Sequence, residues 1–249
     1  WQGYPVEIML ERTHWETVLF IDGKEIVKHE SLATPLRYVI SDITSGKHIF
    51  TFRVDNRVNI NVGKNAHSVS DHTQTNWNGI IGDMRLQVKP SVYIDDVQLY
   101  PHVFNKSVTA RISLKGKPNT SRALLKLSVE KVNGEKIGRT YDVNINNNFN
   151  QEVTLELGNE AELWSEYRPN LYVIRVRLIN GNRKDEKLCT FGLREFKAKE
   201  THFEINGHPI FLRGTLECCI FPKTGYPSME RSYWLKIFNQ CKAHGLNHM

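Results

Sequence analysis

A long polar segment, residues 55–78, contains the side chains of this sequence that are best suited to bind a ligand. It is rich in Asn, His, Ser, Asp and Thr and has few apolar residues. A polar stretch of this length between strands is usually functional or disordered. Trp77 offers an aromatic face for stacking, while Asp71, His72 and Asn76 offer hydrogen-bonding groups. An aromatic face and hydrogen-bonding groups together suit the binding of a sugar. The alternative is that the segment is a surface loop without a functional role.

The sequence favours neither a metal ion nor a cofactor. His67 and His72 lie in the polar segment, but no third ligand stands at a useful spacing. The cysteines also lack the paired C-x-x-C spacing of a zinc site. We expect them to be free thiols, with Cys218 and Cys219 as candidate pocket residues. The four cysteines are Cys189, Cys218, Cys219 and Cys241.

The residues around the polar segment have the pattern of short β-strands separated by turns. Glu16 to Ile21 runs into Asp22-Gly23, a pair that favours a tight hairpin turn because both positions tolerate positive φ. His48 to Val54 alternates, which places His48, Phe50, Phe52 and Val54 on one face of a strand. Many short strands at this spacing predict an antiparallel β-sandwich.

Changes in pattern along the chain predict three domains. Residues 1–92 form the first β-sandwich, and residues 93–197 form a second one whose strand spacing fits an immunoglobulin-like domain. Residues 198–249 differ, because the short apolar strand Ile210 to Gly214 is followed by a helix that we expect to begin at the N-cap Ser228. Strand, helix and the start of another strand predict the first βα unit of a parallel architecture. The predicted fold class is therefore mainly β.

Composition and charge exclude two classes of partner. The net charge is +6, but the basic residues are scattered among acidic ones, so we predict no nucleic acid partner. No apolar run reaches the roughly 18 residues of a membrane span, and no membrane partner is predicted. The chain begins at Trp1 inside folded sequence, so a signal peptide could have stood upstream.

A series of motifs resembles the family 2 glycoside hydrolases, the family of β-galactosidases, β-glucuronidases and β-mannosidases. The resemblance covers nearly the whole chain, and the motifs are specific as a set. It implies a partial jelly-roll sugar-binding-like domain at 1–92, the immunoglobulin-like sandwich at 93–197 and the start of a (β/α)8 barrel at 198–249. The motifs are R-T-H-W-E-T-V-L-F-I-D-G at 12–23, D-I-T-S-G-K-H at 42–48, N-W-N-G-I-I-G-D at 76–83, L-W-S-E-Y-R-P-N-L-Y at 163–172, F-G-L-R-E at 191–195 and F-E-I-N-G-H-P-I-F-L-R-G at 203–214.

This resemblance implies a retaining mechanism with two Glu residues, whose carboxyl groups stand about 5–5.5 Å apart. The family takes them from about the fourth and seventh barrel strands, so no catalytic residue is assigned in this chain, and we expect the chain alone to be inactive. Asp71 occupies a place comparable to a carboxylate that reaches the galactosidase active site. The expected binding residues are Asp71, Trp77, Arg213, Glu217 and Cys218.

The segment after the first barrel strand departs from the family pattern. Family members commonly have N-[RK]-H-E where this chain has Leu216-Glu217-Cys218-Cys219. Glu217 could accept hydrogen bonds from sugar hydroxyls. Arg213 could hold a carboxylate in a bidentate pair, either in the pocket or as a structural ion pair. The departure leaves open which glycan is bound.

Two functions from different classes fit the sequence. The first is a fragment of a periplasmic or secreted glycoside hydrolase that acts on β-linked glycans. The alternative is a non-catalytic carbohydrate-binding or interaction module. The βα unit favours the hydrolase, because a finished binding module would leave Trp234, Leu235 and Phe238 without packing partners. The oligomeric state stays open.

Overall fold

Strands dominate the chain, and its contacts divide it into two compact units. The computed structural model describes residues 1, 3–32, 34–41, 43–58, 61–67, 69–72, 76–116, 123–145, 148–218 and 220–249. The first unit contains residues 1–88 together with 212–249, and the second contains residues 89–211. Each of them is built around antiparallel sheets.

The first unit contains two three-stranded sheets that share one continuous stretch of chain. Strand β1 is central in the sheet β4-β1-β6, and β2, which follows after one residue, is central in the sheet β3-β2-β5. The predicted hairpin joins β2 to β3, with Asp22 at φ 51° and Gly23 at φ 81°. The strands are β1 (Val6–His14), β2 (Glu16–Ile21), β3 (Lys24–Glu30), β4 (Leu36–Ile40), β5 (Phe50–Asp55) and β6 (Gly79–Val88).

Alternating apolar side chains from these two sheets form the core of the first unit. Leu10 of β1 and Leu19 of β2 are fully buried and belong to the same cluster. The alternation predicted for β5 is confirmed, because Phe50 and Phe52 pack against this cluster while Thr51 is exposed. Burial of one face and solvation of the other is what a period of two in the sequence dictates.

The second unit is a sandwich of a four-stranded and a three-stranded sheet, with a small separate sheet. The orders are β10-β9-β12-β13, β11-β8-β7 and β14-β15-β16. The strands are β7 (Val92–His102), β8 (Ser107–Gly116), β9 (Ala123–Lys131), β10 (Lys136–Ile145), β11 (Asn150–Glu156), β12 (Tyr172–Asn180), β13 (Arg183–Phe191), β14 (Phe196–Lys199), β15 (His202–Ile205) and β16 (His208–Ile210).

The core of the second unit lies between its two larger sheets. Ile112 of β8, Leu127 of β9 and Ile174 of β12 are all buried in a single cluster. The backbone N–H of Ile94 also donates to Asp185 at 2.7 Å, which ties β7 to β13. The alternation along β12 therefore specifies which face of the strand turns inward.

The helix starts later than the sequence predicts. Helix α1 spans Arg231–Ala243, and its N-cap is Glu230, so the expected N-cap at Ser228 is wrong by two residues. The carbonyl of Ser228 instead accepts the indole N–H of Trp234 at 2.8 Å, and Glu230 is extended. The predicted end is confirmed, because Gly245 follows the C-cap with φ 74°.

The apolar strand expected at Ile210 to Gly214 forms only in part. Gly214 makes a parallel bridge with His248, as expected of neighbouring strands in a parallel unit. Phe211, however, is 78% exposed, and β16 ends at Ile210. On α1, Leu235 and Phe238 are 45% and 44% exposed. These side chains are apolar, as in a buried surface, but the described residues of this chain cover them only partly.

A glycine in β10 provides a test of the packing between β10 and β11. Gly138 has φ 66°, and a Cβ there would lie 2.5 Å from the carbonyl oxygen of Glu156. We expect Gly138→Ala to lower the free energy of unfolding by about 1–3 kcal/mol more than a left-handed backbone alone would, because the backbone must move. Denaturant unfolding of Gly138→Ala, compared with a control variant that has only the backbone strain, measures this additional loss.

The matched control is Gly134→Ala. Gly134 has φ 90°, but a Cβ there meets nothing within 4 Å, so only the backbone conformation is disfavoured. Equal losses of stability in Gly138→Ala and Gly134→Ala would contradict the predicted clash.

Candidate functional site

The register between β1 and β6 places two aromatic side chains in contact at one end of the first unit. His14, the last residue of β1, pairs with Gly79, the first residue of β6. Trp77 precedes β6 by two residues, and its ring lies 4.8 Å from the His14 ring, edge to face at 67°. This arrangement is the one that aromatic quadrupoles favour. One face of the candidate site is therefore set by strand pairing.

His14 is a buried polar residue at the base of this site. It is only 3% exposed, and neither ring nitrogen has a hydrogen-bond partner among the described residues. Burial lowers the pKa of His14 most, and the nearby Arg12 guanidinium lowers it further, while the Asp71 carboxylate opposes both effects. His14 is consequently neutral at pH 7 and lies within the electrostatic reach of Asp71.

Asparagine side chains hold the backbone on either side of Trp77. The amide of Asn56 donates to the carbonyl of Trp77 at 3.1 Å, and Asn78 donates to Asn56 Oδ1 at 3.1 Å. Asn76 donates to the carbonyl of Val69 at 3.2 Å. These bonds fix the two ends of the polar segment, and amides are suited to this because they donate and accept at once.

Asp71 and Trp77 present complementary surfaces to a ligand. Asp71 is exposed, and Trp77 is half-buried against His14. The structure links these two predicted residues through His14, since the ring of His14 contacts Trp77 and feels the charge of Asp71. A carboxylate that accepts hydrogen bonds beside an indole is an arrangement that suits a hydroxyl-bearing ring.

The other predicted binding residues lie in the second segment of the first unit. Arg213 Nε donates to the carbonyl of Gly245 at 2.7 Å, which ties the segment to the end of α1. This bond gives Arg213 a structural role, and its predicted contact with a ligand stays a prediction. Glu217 is exposed and Cys218 is half-buried, whereas Cys219 lies outside the described residues.

A β-bulge brings the two segments of the first unit together near this end of the sheet. The register of β1 and β6 shifts around Glu11, whose carboxylate accepts the N–H of Asp83 at 2.6 Å. A Cβ built on Gly82 would lie 3.0 Å from Met229 Cε. Gly82 is three residues from Gly79, so the chain that leads into α1 packs close to the strand ends that carry the candidate site.

His14 is the site residue that sequence reasoning did not identify. It stands in the motif R-T-H-W, as the last residue of the apolar strand β1. A histidine among residues with the pattern of a buried strand was the available signal, since buried polar groups often mark a functional or constrained position. Its contact with Trp77 depends on a pairing of residues far apart in sequence.

The described residues give no sign of a metal or of a membrane-spanning helix. They contain no group of three or more His, Cys, Asp or Glu side chains arranged to hold a metal ion. Among them, no helix has the length and apolar character needed to cross a membrane.

Comparisons with known proteins identify relatives along most of the chain. Residues 92–194 match the family model described as glycosyl hydrolases family 2. A β-galactosidase from Thermoanaerobacterium thermosulfurigenes is 24% identical over 88% of this chain and 32% of its own length. A β-galactosidase from Oenococcus oeni is 25% identical over 86% of this chain and 21% of its own length. The chain thus spans a third or less of these relatives.

Solved structures share the fold over almost the full chain. A β-glucuronidase from Ruminococcus gnavus in complex with D-glucuronic acid matches with a TM-score of 0.79 and 17% identity, covering 99% of this chain and 43% of that one. A β-glucuronidase from Bifidobacterium dentium complexed with coumarin-3-O-glucuronide matches with a TM-score of 0.77 and 18% identity, covering 99% of this chain and 45% of that one. At this identity the likeness concerns the fold.

The buried imidazole predicts a specific dependence of stability on pH. The pKa of His14 is lowered in the folded state, so the unfolded chain binds a proton first as the pH falls below the ordinary histidine value of about 6.5. As the pH falls from about 6.5 to the folded-state pKa of His14, we expect the contribution of His14 to the free energy of unfolding to decrease. His14→Phe, which cannot titrate, removes this contribution.

Denaturant unfolding of the wild type and His14→Phe between pH 5 and pH 8 measures the effect. Their difference in unfolding free energy should change with pH, while the exposed-histidine control His29→Phe follows the wild type more closely. Parallel curves for the wild type and His14→Phe would show that burial does not hold His14 in its neutral form.

Proposed function

We propose that the chain is the non-catalytic part of a retaining glycoside hydrolase of family 2 that acts on β-linked glycans. The match at residues 92–194 and the relatives along most of the chain support this proposal. The two Glu residues that retaining hydrolysis needs would come from sequence outside these 249 residues.

The finer architecture belongs to the same proposal. Residues 1–92 would be a partial jelly roll, residues 93–197 an immunoglobulin-like sandwich and residues 198–249 the first βα unit of a (β/α)8 barrel. The two larger sheets of the second unit, with seven antiparallel strands, support the middle assignment. The parallel bridge between Gly214 and His248, on either side of α1, supports the last.

The single observation that supports the proposed role is the edge-to-face contact of the half-buried Trp77 indole with His14, the last residue of β1. The exposed Asp71 belongs to the same polar segment, and its charge acts on His14. We assign sugar binding to these two residues. Arg213, Glu217 and Cys218 would line the neighbouring part of the pocket, because their segment opens the proposed barrel.

The substrate is expected to differ from that of an ordinary β-galactosidase or β-glucuronidase. The short segment Glu217-Cys218 stands where the family commonly carries an arginine or lysine followed by a histidine. A thiol forms much weaker hydrogen bonds than an imidazole, so hydroxyl recognition at this position must change. Polymeric β-linked glycans outside the cell would suit a periplasmic or secreted enzyme, which is the location we propose.

The exposed apolar face of α1 favours this reading over a free-standing binding module. Leu235 and Phe238 are each close to half exposed, and Trp234 and Tyr233 add two aromatic rings beside them. Contiguous apolar surface of this kind marks an interaction site. The remaining units of a barrel are the partner that a βα unit requires.

Absence of turnover by the isolated chain is the first consequence of the proposal. We expect the purified 249-residue protein to release no nitrophenol from aryl β-glucosides, β-galactosides, β-glucuronides or β-mannosides, because the acid/base and the nucleophile are missing. Release above that of a preparation made from cells with an empty vector would contradict it. The complete reading frame, assayed in parallel, should hydrolyse at least one of these substrates.

Sugar binding by the polar segment is the second consequence. We expect Trp77→Ala to weaken binding of β-linked oligosaccharides by about tenfold, equivalent to about 1.4 kcal/mol, because the stacking surface is lost. Asp71→Asn, which keeps the shape but removes the charge, should also weaken binding. Isothermal titration calorimetry of the chain with oligosaccharides selected on a glycan array measures both effects.

The matched control for the lost indole is Trp1→Ala. Trp1 is 67% exposed in the same unit and outside the candidate site, so its removal should leave the affinity unchanged. Oligosaccharide binding that is equally strong in the wild type, Trp77→Ala and Asp71→Asn would remove the polar segment from the proposed site.

A further inference from the structure

We propose that His14 is a positioning residue for the sugar-binding site: its buried ring fixes the Trp77 indole within the polar segment that also carries Asp71. This inference rests on the function proposed above and adds to it a residue that does not touch the sugar. His14 is almost completely buried, so it acts through its two neighbours.

The first part of the argument concerns the orientation of the indole. The backbone of Trp77 is held by the Asn56 amide, but that bond leaves the side-chain rotamer free. The ring contact with His14 at 4.8 Å restrains the rotamer. His14 itself cannot move easily, because it ends the paired strand β1 and the next residue, Trp15, is buried and donates its N–H to the Asp55 carbonyl at 3.2 Å.

The second part concerns charge. The charged groups that act on His14 are Arg12, on the same strand, and Asp71, on the polar segment. A protonated imidazole would attract the Asp71 carboxylate and compete with sugar hydroxyls for it. Burial disfavours the protonated form, because a buried charge without enough partners loses its hydration. The pKa of His14 is lowered accordingly, so near neutral pH its uncharged ring does not compete with a ligand for the Asp71 carboxylate.

A hydrophobic filler would be a simpler choice if His14 only occupied space. Both of its ring nitrogens are buried without a partner among the described residues, which is unfavourable because each has lost its hydrogen bond to water. Such a residue resembles the constrained groups that are found at functional sites. Substitutions can separate the role of the ring from the role of its protonation.

The ligand-free chain provides the first test. The indole N–H signal of Trp77, identified as the one missing from Trp77→Phe, can be followed by ¹H–¹⁵N NMR. We expect this signal to shift in His14→Ala and to stay near its wild-type position in His14→Phe, which keeps an aromatic ring. As the pH falls, the signal should move in the wild type and should not move in His14→Phe.

Two controls separate positioning from general stability. His29 packs its ring 5.1 Å from Tyr38 on the same unit, so His29→Ala removes a comparable contact away from the site and should leave the Trp77 signal unmoved. Gly134→Ala destabilises the chain in the second unit and should also leave this signal unmoved. An unmoved Trp77 signal in a folded His14→Ala protein would overturn the proposal.

Glycan affinity provides the second test. His14→Ala should bind the selected oligosaccharide about tenfold more weakly than the wild type. His14→Phe should retain most of the wild-type affinity at pH 7. The wild type should lose affinity at acid pH, and His14→Phe should not. Equal weakening in both folded variants would overturn the positioning role of the ring. If the wild type binds no glycan, the proposed function fails, and the Trp77 signal still decides whether His14 positions the indole.

Discussion

One continuous stretch of backbone, residues 6–21, supplies the central strand of each three-stranded sheet in the first unit, and the rest of that unit depends on it. β1 has β4 and β6 as neighbours, and β2 has β3 and β5. A register error in this stretch would turn the apolar face of each strand toward solvent. The junction at Trp15 is consequently pinned by its burial and by its bond to Asp55. Such a junction is a rigid base on which to build a site.

The same junction carries polar side chains where an apolar core would be expected. Thr13, His14 and Thr17 are all at most 3% exposed, and their side-chain polar atoms lack partners among the described residues. Strand pairing on both sides over-determines the local conformation, so it can keep such groups buried. The first unit thus gives up some stability near the end of β1, where the polar segment meets the sheet. The buried apolar cluster of the second unit is larger than that of the first.

Sequence patterns predicted the local structure well and the long-range contacts poorly. The turn at Asp22-Gly23, the alternation of β5 and the Gly245 end of α1 follow from the φ and periodicity preferences of nearby residues. The start of α1 was wrong because the side chain of Trp234 reaches back to Ser228. Asp71 and Trp77 stay predictions, which the sequence allowed because their types stand out in a polar segment. His14 was missed because its importance comes from pairing with Gly79, 65 residues away in sequence.

The likeness to solved glucuronidases shows that a similar fold can be built from a sequence in which most residues differ. A TM-score of 0.79 at 17% identity means that strand pairing and core periodicity suffice to specify the architecture, although most side chains differ. Substrate recognition must therefore depend on short segments that the architecture holds in place. In our proposal those segments are the polar one around Asp71 and Trp77 and the one at Glu217-Cys218. His14 belongs to neither of them, yet it connects the scaffold to the first, and a change there could retune binding without altering any residue that touches the ligand.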